Sequence, residues 1–225
     1  CPGSNWVMVG LKPMEYIIFS YKDLAKTYGI KIVHTEATGV DADKKLLITE
    51  AGNIEYDKLV VSPGVEFMYE RIAGWSKEAE NVFPHAYKAG KQTLLMRAGL
   101  EALKPGENVV MTVPAAPYRC PPGPYERACL LAYFLKKNKK GSKLIVLDAN
   151  KDIASKGKLF RAAWNELYDG VIEYVPSAAV TGVDTATRTI KTTNGNFTGG
   201  VTNIIPDMQA GSFCHKTGLL PADER

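Results

Sequence analysis

Cys120 sits among prolines in the stretch PAAPYRCPPGPYERACLLAYFL, residues 114–135. The apolar run before it, Val109 to Val113, reads as a strand. The run after it carries Ala128, Leu131, Ala132, Phe134 and Leu135 and reads as a helix. In a nucleotide-binding βαβ unit this turn is glycine-rich, because backbone amides must close on a pyrophosphate. Pro121 and Pro122 offer no amide hydrogen and stiffen the backbone. The turn is therefore a poor phosphate cradle and a good mount for one sulfur. Pro124 suits the first position of a helix, which sets Cys120 just ahead of a positive helix end and beside Arg119. Both features favour the thiolate, the nucleophilic form of the side chain. The alternative is a buried, inert thiol. Glu126, in the first helical turn, is either an acid favoured by the helix dipole or, if buried, a group that shuttles a proton.

The remaining polar candidates carry weaker signals. Cys129 falls on the apolar side of the same helix and reads as core. Cys1, Cys120, Cys129 and Cys214 are widely spaced with no C-x-x-C, so neither a zinc site nor a small disulfide framework is indicated. The adjacent side chains of Cys214 and His215 diverge on any regular element, and no metal is expected. His34 reads as structural and His85 as a capping or surface residue. Tyr125 and Arg127 read as structural, and Trp75 and Trp164 as packing anchors.

These residues need a frame. Residues 21–28 read as a short helix closed by Gly29. Short β runs follow over 30–34, 36–40, 45–49 and 53–56. Leu59-Val60-Val61 reads as a fully buried strand ending in Ser62-Pro63-Gly64. A helix over 86–103 then leads into strand 107–113, the proline turn, helix 124–137, strand 143–147, helix 157–168 and strand 171–175. That alternation predicts an α/β fold, a doubly wound unit on a parallel sheet. A β-meander (178–183, 187–192, 196–198) and the apolar run Val201 to Ile205 follow.

The chain's 225 residues can bury one or two cores, and 45% hydrophobic with 23% charged residues is ordinary globular composition. The net charge of +4 is mild. Lys136, Lys137, Lys139 and Lys140 lie at a helix end, where they complement the macrodipole, and no aromatic residues alternate with them as on a nucleic-acid surface. No partnership with nucleic acid is expected. No apolar run approaches membrane-spanning length.

Together, the meander and "YDKLVVSPG" resemble the two-dinucleotide-domain flavoprotein disulfide-reductase superfamily, where the corresponding strand ends in Ala-Thr-Gly near the flavin nucleotide. The segments "CPGSN", "PHAYKAGKQT", "PAAPYRCPPGPYERA", "FRAAWNELY" and "NIIPDMQAG" narrow the match. In order, they resemble the flavoprotein subunit of flavocytochrome c sulfide dehydrogenase, a relative of sulfide:quinone oxidoreductase. The likeness runs along essentially the whole chain. The family's glycine-rich FAD turn and C-terminal segment have no counterpart, so the chain reads as a central portion of a longer subunit. That portion alone is expected to hold FAD weakly and to be inactive.

The resemblance implies a domain plan. Residues 1–78 would be part of an FAD-binding domain, 79–205 an NADH-domain-like α/β domain carrying the redox cysteine, and 206–225 the start of the return to the FAD domain. It also implies roles. Cys120 would form a redox-active disulfide with a cysteine from the C-terminal region, with Arg119 and Glu126 beside it. Hydrosulfide would open that disulfide to a persulfide and a thiolate, and two electrons would reach the flavin. Cys1 matches the cysteine that carries FAD covalently, and Ser62, Pro63 and Gly64 match the turn that approaches it. A c-type cytochrome subunit would be the partner, sulfide the substrate and the periplasm the location. Two rival readings are a sulfide:quinone oxidoreductase and a non-catalytic cytochrome-docking module. An NAD-dependent disulfide reductase is disfavoured by the missing G-x-G-x-x-G and C-x-x-x-x-C.

Overall fold

The computed structural model describes residues 2–221. The chain folds as two compact units: residues up to 18 with 68–207, and residues 19–67 with those from 208 onward. In chain order, α1 (Ser4–Met8) and α2 (Lys22–Tyr28) precede β1 (Ala37–Asp41), β2 (Leu46–Thr49), β3 (Gly52–Glu55) and β4 (Val65–Phe67). Then α3 (Lys91–Ala102), β5 (Val109–Val113), α4 (Gly123–Asn138), β6 (Leu144–Asp148), α5 (Gly157–Leu167) and β7 (Ile172–Val175) alternate. They are followed by β8 (Val180–Asp184), β9 (Thr189–Thr192), β10 (Gly195–Thr198), β11 (Val201–Asn203), β12 (Met208–Ala210) and α6 (Ser212–Lys216).

The first unit is built on a four-stranded sheet of order β11-β5-β6-β7. Every pairing is parallel, with Val201 beside Val109, Val109 beside Leu144 and Leu144 beside Ile172. All five residues of β5 are buried, as expected of a parallel strand covered on both faces. α3 packs on β11, α4 packs on β6, and α1 lies against α3 and α4. The antiparallel meander β8-β9-β10 belongs to the same unit. This is the predicted α/β, doubly wound arrangement. The second unit holds the meander β1-β2-β3, the antiparallel pair β4-β12, and α6 against β1. Gly29 takes φ 65 to close α2 in the left-handed conformation that glycine adopts without strain.

Three expectations about elements are corrected. Residues 30–34 form no strand. Residues 59–61 form no strand either, and Val60 is 88% exposed. An apolar run becomes a strand only when a neighbour takes its backbone hydrogen bonds, and no described strand pairs with this one. The helix expected from residue 86 starts at Lys91, because Ala86 sits at φ 45. Residues up to 18 group with 68–207 in the first unit.

What holds that N-terminal segment is Arg127, a residue of α4 that is only 2% exposed. Its Nε donates to Asn5 Oδ1 (3.1 Å), Nη1 to His85 O (2.8 Å) and Asn203 Oδ1 (3.1 Å), and Nη2 to Ala86 O (2.6 Å). One guanidinium thus ties α1, the segment before α3, α4 and β11 together. His85 is also buried, so the surface alternative for it is set aside. It caps a turn, its Nδ1 accepting the Tyr87 amide at 2.9 Å. Burial, then the charges of Arg127 and Lys88, lower its pKa to about 3. The Glu80 carboxylate 3.7 Å from Nε2 opposes that shift but is already held by the Tyr69 hydroxyl at 2.6 Å.

Two outcomes are expected. Arg127→Met keeps the length and removes the charge, leaving buried oxygens unpaired; it should cost about 3–5 kcal/mol, read as a lowered urea midpoint. The second concerns pH. Unfolded, His85 takes up a proton below about 6.5, whereas folded it does not until about 3. The unfolded state binds more protons across that window, so stability falls as pH drops through it. The slope from this one group reaches about 1.4 kcal/mol per pH unit. His85→Gln should flatten that fall in urea titrations between pH 7 and 4.5.

Candidate active site

Between the end of β5 and the start of α4 the chain makes the proline turn, and Cys120 occupies its tightest point at φ 62. For a residue with a Cβ this left-handed conformation costs on the order of 1–2 kcal/mol. Hydrogen bonds on either side hold it there. The Cys120 carbonyl accepts the Gly123 amide at 2.8 Å, which closes the turn into the helix. The Tyr87 hydroxyl donates to Arg119 O at 2.6 Å and approaches Cys120 O at 3.3 Å. The Tyr118 hydroxyl lies 3.1 Å from Pro121 O. At the start of the turn, Asn150 Nδ2 donates to Pro114 O and its Oδ1 accepts the Ala116 amide, both at 3.0 Å.

The sulfur rests on the helix end. A Cβ placed on Gly123 would lie 3.0 Å from Cys120 Sγ and 3.0 Å from the Tyr87 hydroxyl, so a larger residue there would need one of these side chains to give by a few tenths of an ångström. Burial raises the Tyr118 phenol to about 12 and the Tyr87 phenol further, and a negative charge on the neighbouring Cys120 sulfur adds to both. Both phenols stay protonated and remain donors at neutral pH. Cys120 and Arg119 are exposed, so the inert buried alternative for this thiol is set aside. Glu126 is exposed in the first turn of α4 and lacks the burial that a proton shuttle was expected to need.

Cys120, Cys129 and Cys214 are free thiols. Cys129 accepts the Trp164 indole N–H at 3.2 Å, and burial raises its thiol pKa. Lys136 donates to Leu167 O near the end of α5 and Lys139 to Glu101 O near the end of α3, so the lysine cluster serves helix carbonyls. Among the described residues no group of three His, Cys, Asp or Glu is placed to hold a metal ion. No described helix is long and apolar enough to cross a membrane. The residues that sequence reasoning passed over are Tyr87, Tyr118 and Asn150. The nearest signal for Asn150 was its place two residues past a strand end, where α/β sheets build their sites.

Ser62, Pro63 and Gly64 lie in the second unit, all exposed. Ser62 and Pro63 line a cavity of about 420 Å³ with Leu47, Val61 and Phe213 among its apolar walls and the Glu36 and Glu66 carboxylates at its polar side. Gly211 is packed so closely on Pro63 that an added Cβ would fall 3.0 Å from it. Such a cavity is of small-molecule size. Apolar walls suit a ring and carboxylates suit ribose hydroxyls, so these residues fit part of a flavin nucleotide. Cys1, the residue expected to carry the flavin, lies outside the described residues.

A parallel α/β unit with an antiparallel meander is also the fold of solved oxidoreductases. The solved sulfide:quinone oxidoreductase of Aquifex aeolicus superposes with TM-score 0.76 at 20% identity, over 96% of this chain and 51% of that one. The NAD-dependent persulfide reductase of A. fulgidus does so with TM-score 0.71 at 18% identity, over 96% and 40%. In sequence, the mitochondrial sulfide:quinone oxidoreductase of Dictyostelium discoideum is 28% identical over 143 residues, 59% of this chain and 30% of that protein. Residues 93–206, just over half of the chain, match the family of the central region of the sulfide dehydrogenase (flavocytochrome c) flavoprotein chain, and the chain belongs to that family.

Gly123→Ala tests the packing of the sulfur. Alanine gains up to about 1 kcal/mol of helix propensity, but overpacking against Sγ and the Tyr87 hydroxyl costs about 1–3 kcal/mol. The expected result is a lowered urea midpoint, with the penalty reduced when the same change is made in a Cys120→Ala background.

Proposed function

We propose that the chain is the sulfur-handling part of an FAD-dependent oxidoreductase that oxidises sulfide and passes the electrons to a c-type cytochrome in the periplasm. The observation that carries this is the Cys120 turn: an exposed thiol held at a helix N-terminus by a backbone that offers prolines instead of phosphate-binding amides. Membership of the sulfide dehydrogenase flavoprotein family supports it.

In this reading Cys120 forms a disulfide with a second cysteine. Hydrosulfide opens it: a new S–S bond forms to the incoming sulfur as the old one breaks, leaving one cysteine as a persulfide and the other as a thiolate. Arg119, exposed beside the sulfur, draws in the hydrosulfide anion. Glu126 lies exposed at the helix start, in the first turn of α4. Ser62, Pro63 and Gly64 contact the flavin nucleotide, and Cys1 holds FAD through a thioether. FAD, when bound, supplies the two-electron acceptor. A quinone as the final acceptor is a second reading, favoured by the sequence match to a sulfide:quinone oxidoreductase.

The test is Cys120→Ser in the intact, flavin-loaded subunit, mixed rapidly with sulfide. Loss of sulfide-driven reduction of the 450-nm flavin band, with FAD still bound, is expected. Bleaching at the parent rate would end the sulfur reading. Supplying cytochrome c or a quinone as sole acceptor then separates the two readings.

A further inference from the structure

Asp148, the last residue of β6, is fully buried. Its Oδ2 accepts from the Tyr125 hydroxyl at 2.8 Å and the Tyr174 hydroxyl at 2.9 Å. Its Oδ1 accepts from the Asn150 amide N–H and side-chain Nδ2, both at 2.8 Å. Two of those donors lead to the Cys120 turn. Asn150 grips Pro114 and Ala116 at the start of it. The Tyr125 hydroxyl lies 3.4 Å from that of Tyr118, which in turn is 3.1 Å from Pro121 O at its end. Tyr125 is fixed by the Phe160 and Trp164 rings, with centroids 5.6 and 6.4 Å away. Both ends of the turn thus converge on one carboxylate.

In a dinucleotide-binding domain, an acid following this strand holds ribose hydroxyls. Here four donors from the chain itself occupy both oxygens. We propose that Asp148 is the positioning residue of Cys120, the strand-end acid of a nucleotide domain given over to holding a sulfur turn. Through Asn150, Tyr125 and Tyr118 it fixes residues 114–121, and the fixed turn keeps Sγ against Gly123 at the start of the sixteen-residue α4, beside the free amides of its first turn. The purpose of this grip rests on the sulfur reading of Cys120; the grip itself does not. The titratable and charged groups around the sulfur are Tyr118 and Arg119 from the turn, Tyr87 from the segment before α3, and Arg127 beyond the Tyr87 ring. The first turn of α4 adds Glu126.

The experiment is peptide-resolved labelling of the full chain with iodoacetamide at pH 7 and pH 10, comparing the parent with Tyr118→Phe and Asp148→Asn. Freeing the sulfur from the helix end should slow Cys120 labelling at pH 7 by about two- to fivefold. At pH 10 the rates should converge, and Cys214 should label alike throughout. Should Asp148→Asn fail to fold, Tyr118→Phe, which loses one hydroxyl, carries the test alone. Labelling of Tyr118→Phe at the parent rate, or slowed equally at both pH values, overturns the proposal. The expected pH 7 loss combined with full sulfide oxidation by Cys120→Ser upholds the positioning role and removes the sulfur reading.

Discussion

Burying the Arg127 guanidinium takes a full positive charge out of water, and its hydrogen-bond partners are neutral oxygens: two side-chain amides and two backbone carbonyls. Burial lowers its pKa only to about 10, so it stays charged at neutral pH. A charge so placed must be surrounded on all sides, which fixes several elements at once. The carbonyls of His85 and Ala86 are turned to it and away from helical hydrogen bonding, and α3 begins only after that bend. Asn203 completes the arrangement from β11, passing its own amide hydrogens to Pro84 O and His85 O. The segment before α3, which supplies Tyr87 to the cysteine turn, is therefore set by a charge on the far side of that tyrosine's ring, 5.4 Å from its centroid.

Asp148 is the complement of Arg127. One is a buried cation among acceptors, the other a buried anion among donors, and each is satisfied locally. Together they hold the Cys120 turn from two directions, Arg127 through the segment bearing Tyr87 and Asp148 through Tyr118 and Asn150. A left-handed cysteine needs such support, since nothing in its own backbone preference favours φ 62. Aromatic packing behind Tyr125, with Trp164 and Tyr174 at 5.7 Å, excludes water from the carboxylate and strengthens each of its hydrogen bonds.

The parallel sheet was legible because its strands are continuous apolar runs alternating with helix-period segments, and burial on both faces leaves no other reading. Residues 59–61 have the same apolar character and form no strand, since composition states what a segment can bury but not which neighbour will pair with it. The helix boundary at Lys91 has two causes: Gly90, at φ 123, ends the helical backbone locally, and the Arg127 contact turns the carbonyls of His85 and Ala86 away from helical bonding. At the site, the proline run marked the turn that carries Cys120, exposed in the structure. Its supports were not legible, because Tyr87 and Asn150 reach it from 33 and 30 residues away in the chain, and nothing in their local sequence marks them.

The turn after β5 carries prolines where a nucleotide-binding turn carries glycines. A pyrophosphate needs several amide hydrogens converging from a loop that can approach closely, which glycine permits and proline forbids. A reactive thiol needs a single side chain held still at the positive end of a helix. The prolines of 114–124 remove amides that would otherwise require partners, so the loop can be exposed and rigid together. Once the phosphate amides are gone, an outward acid at the end of β6 has no ribose to hold. Turned inward, the same carboxylate becomes the anchor that a proline turn lacks, because proline offers the loop no donors of its own. On the proposed reading the two features belong together: a turn of prolines, poor in its own donors, is held at its start through Asn150 by Asp148.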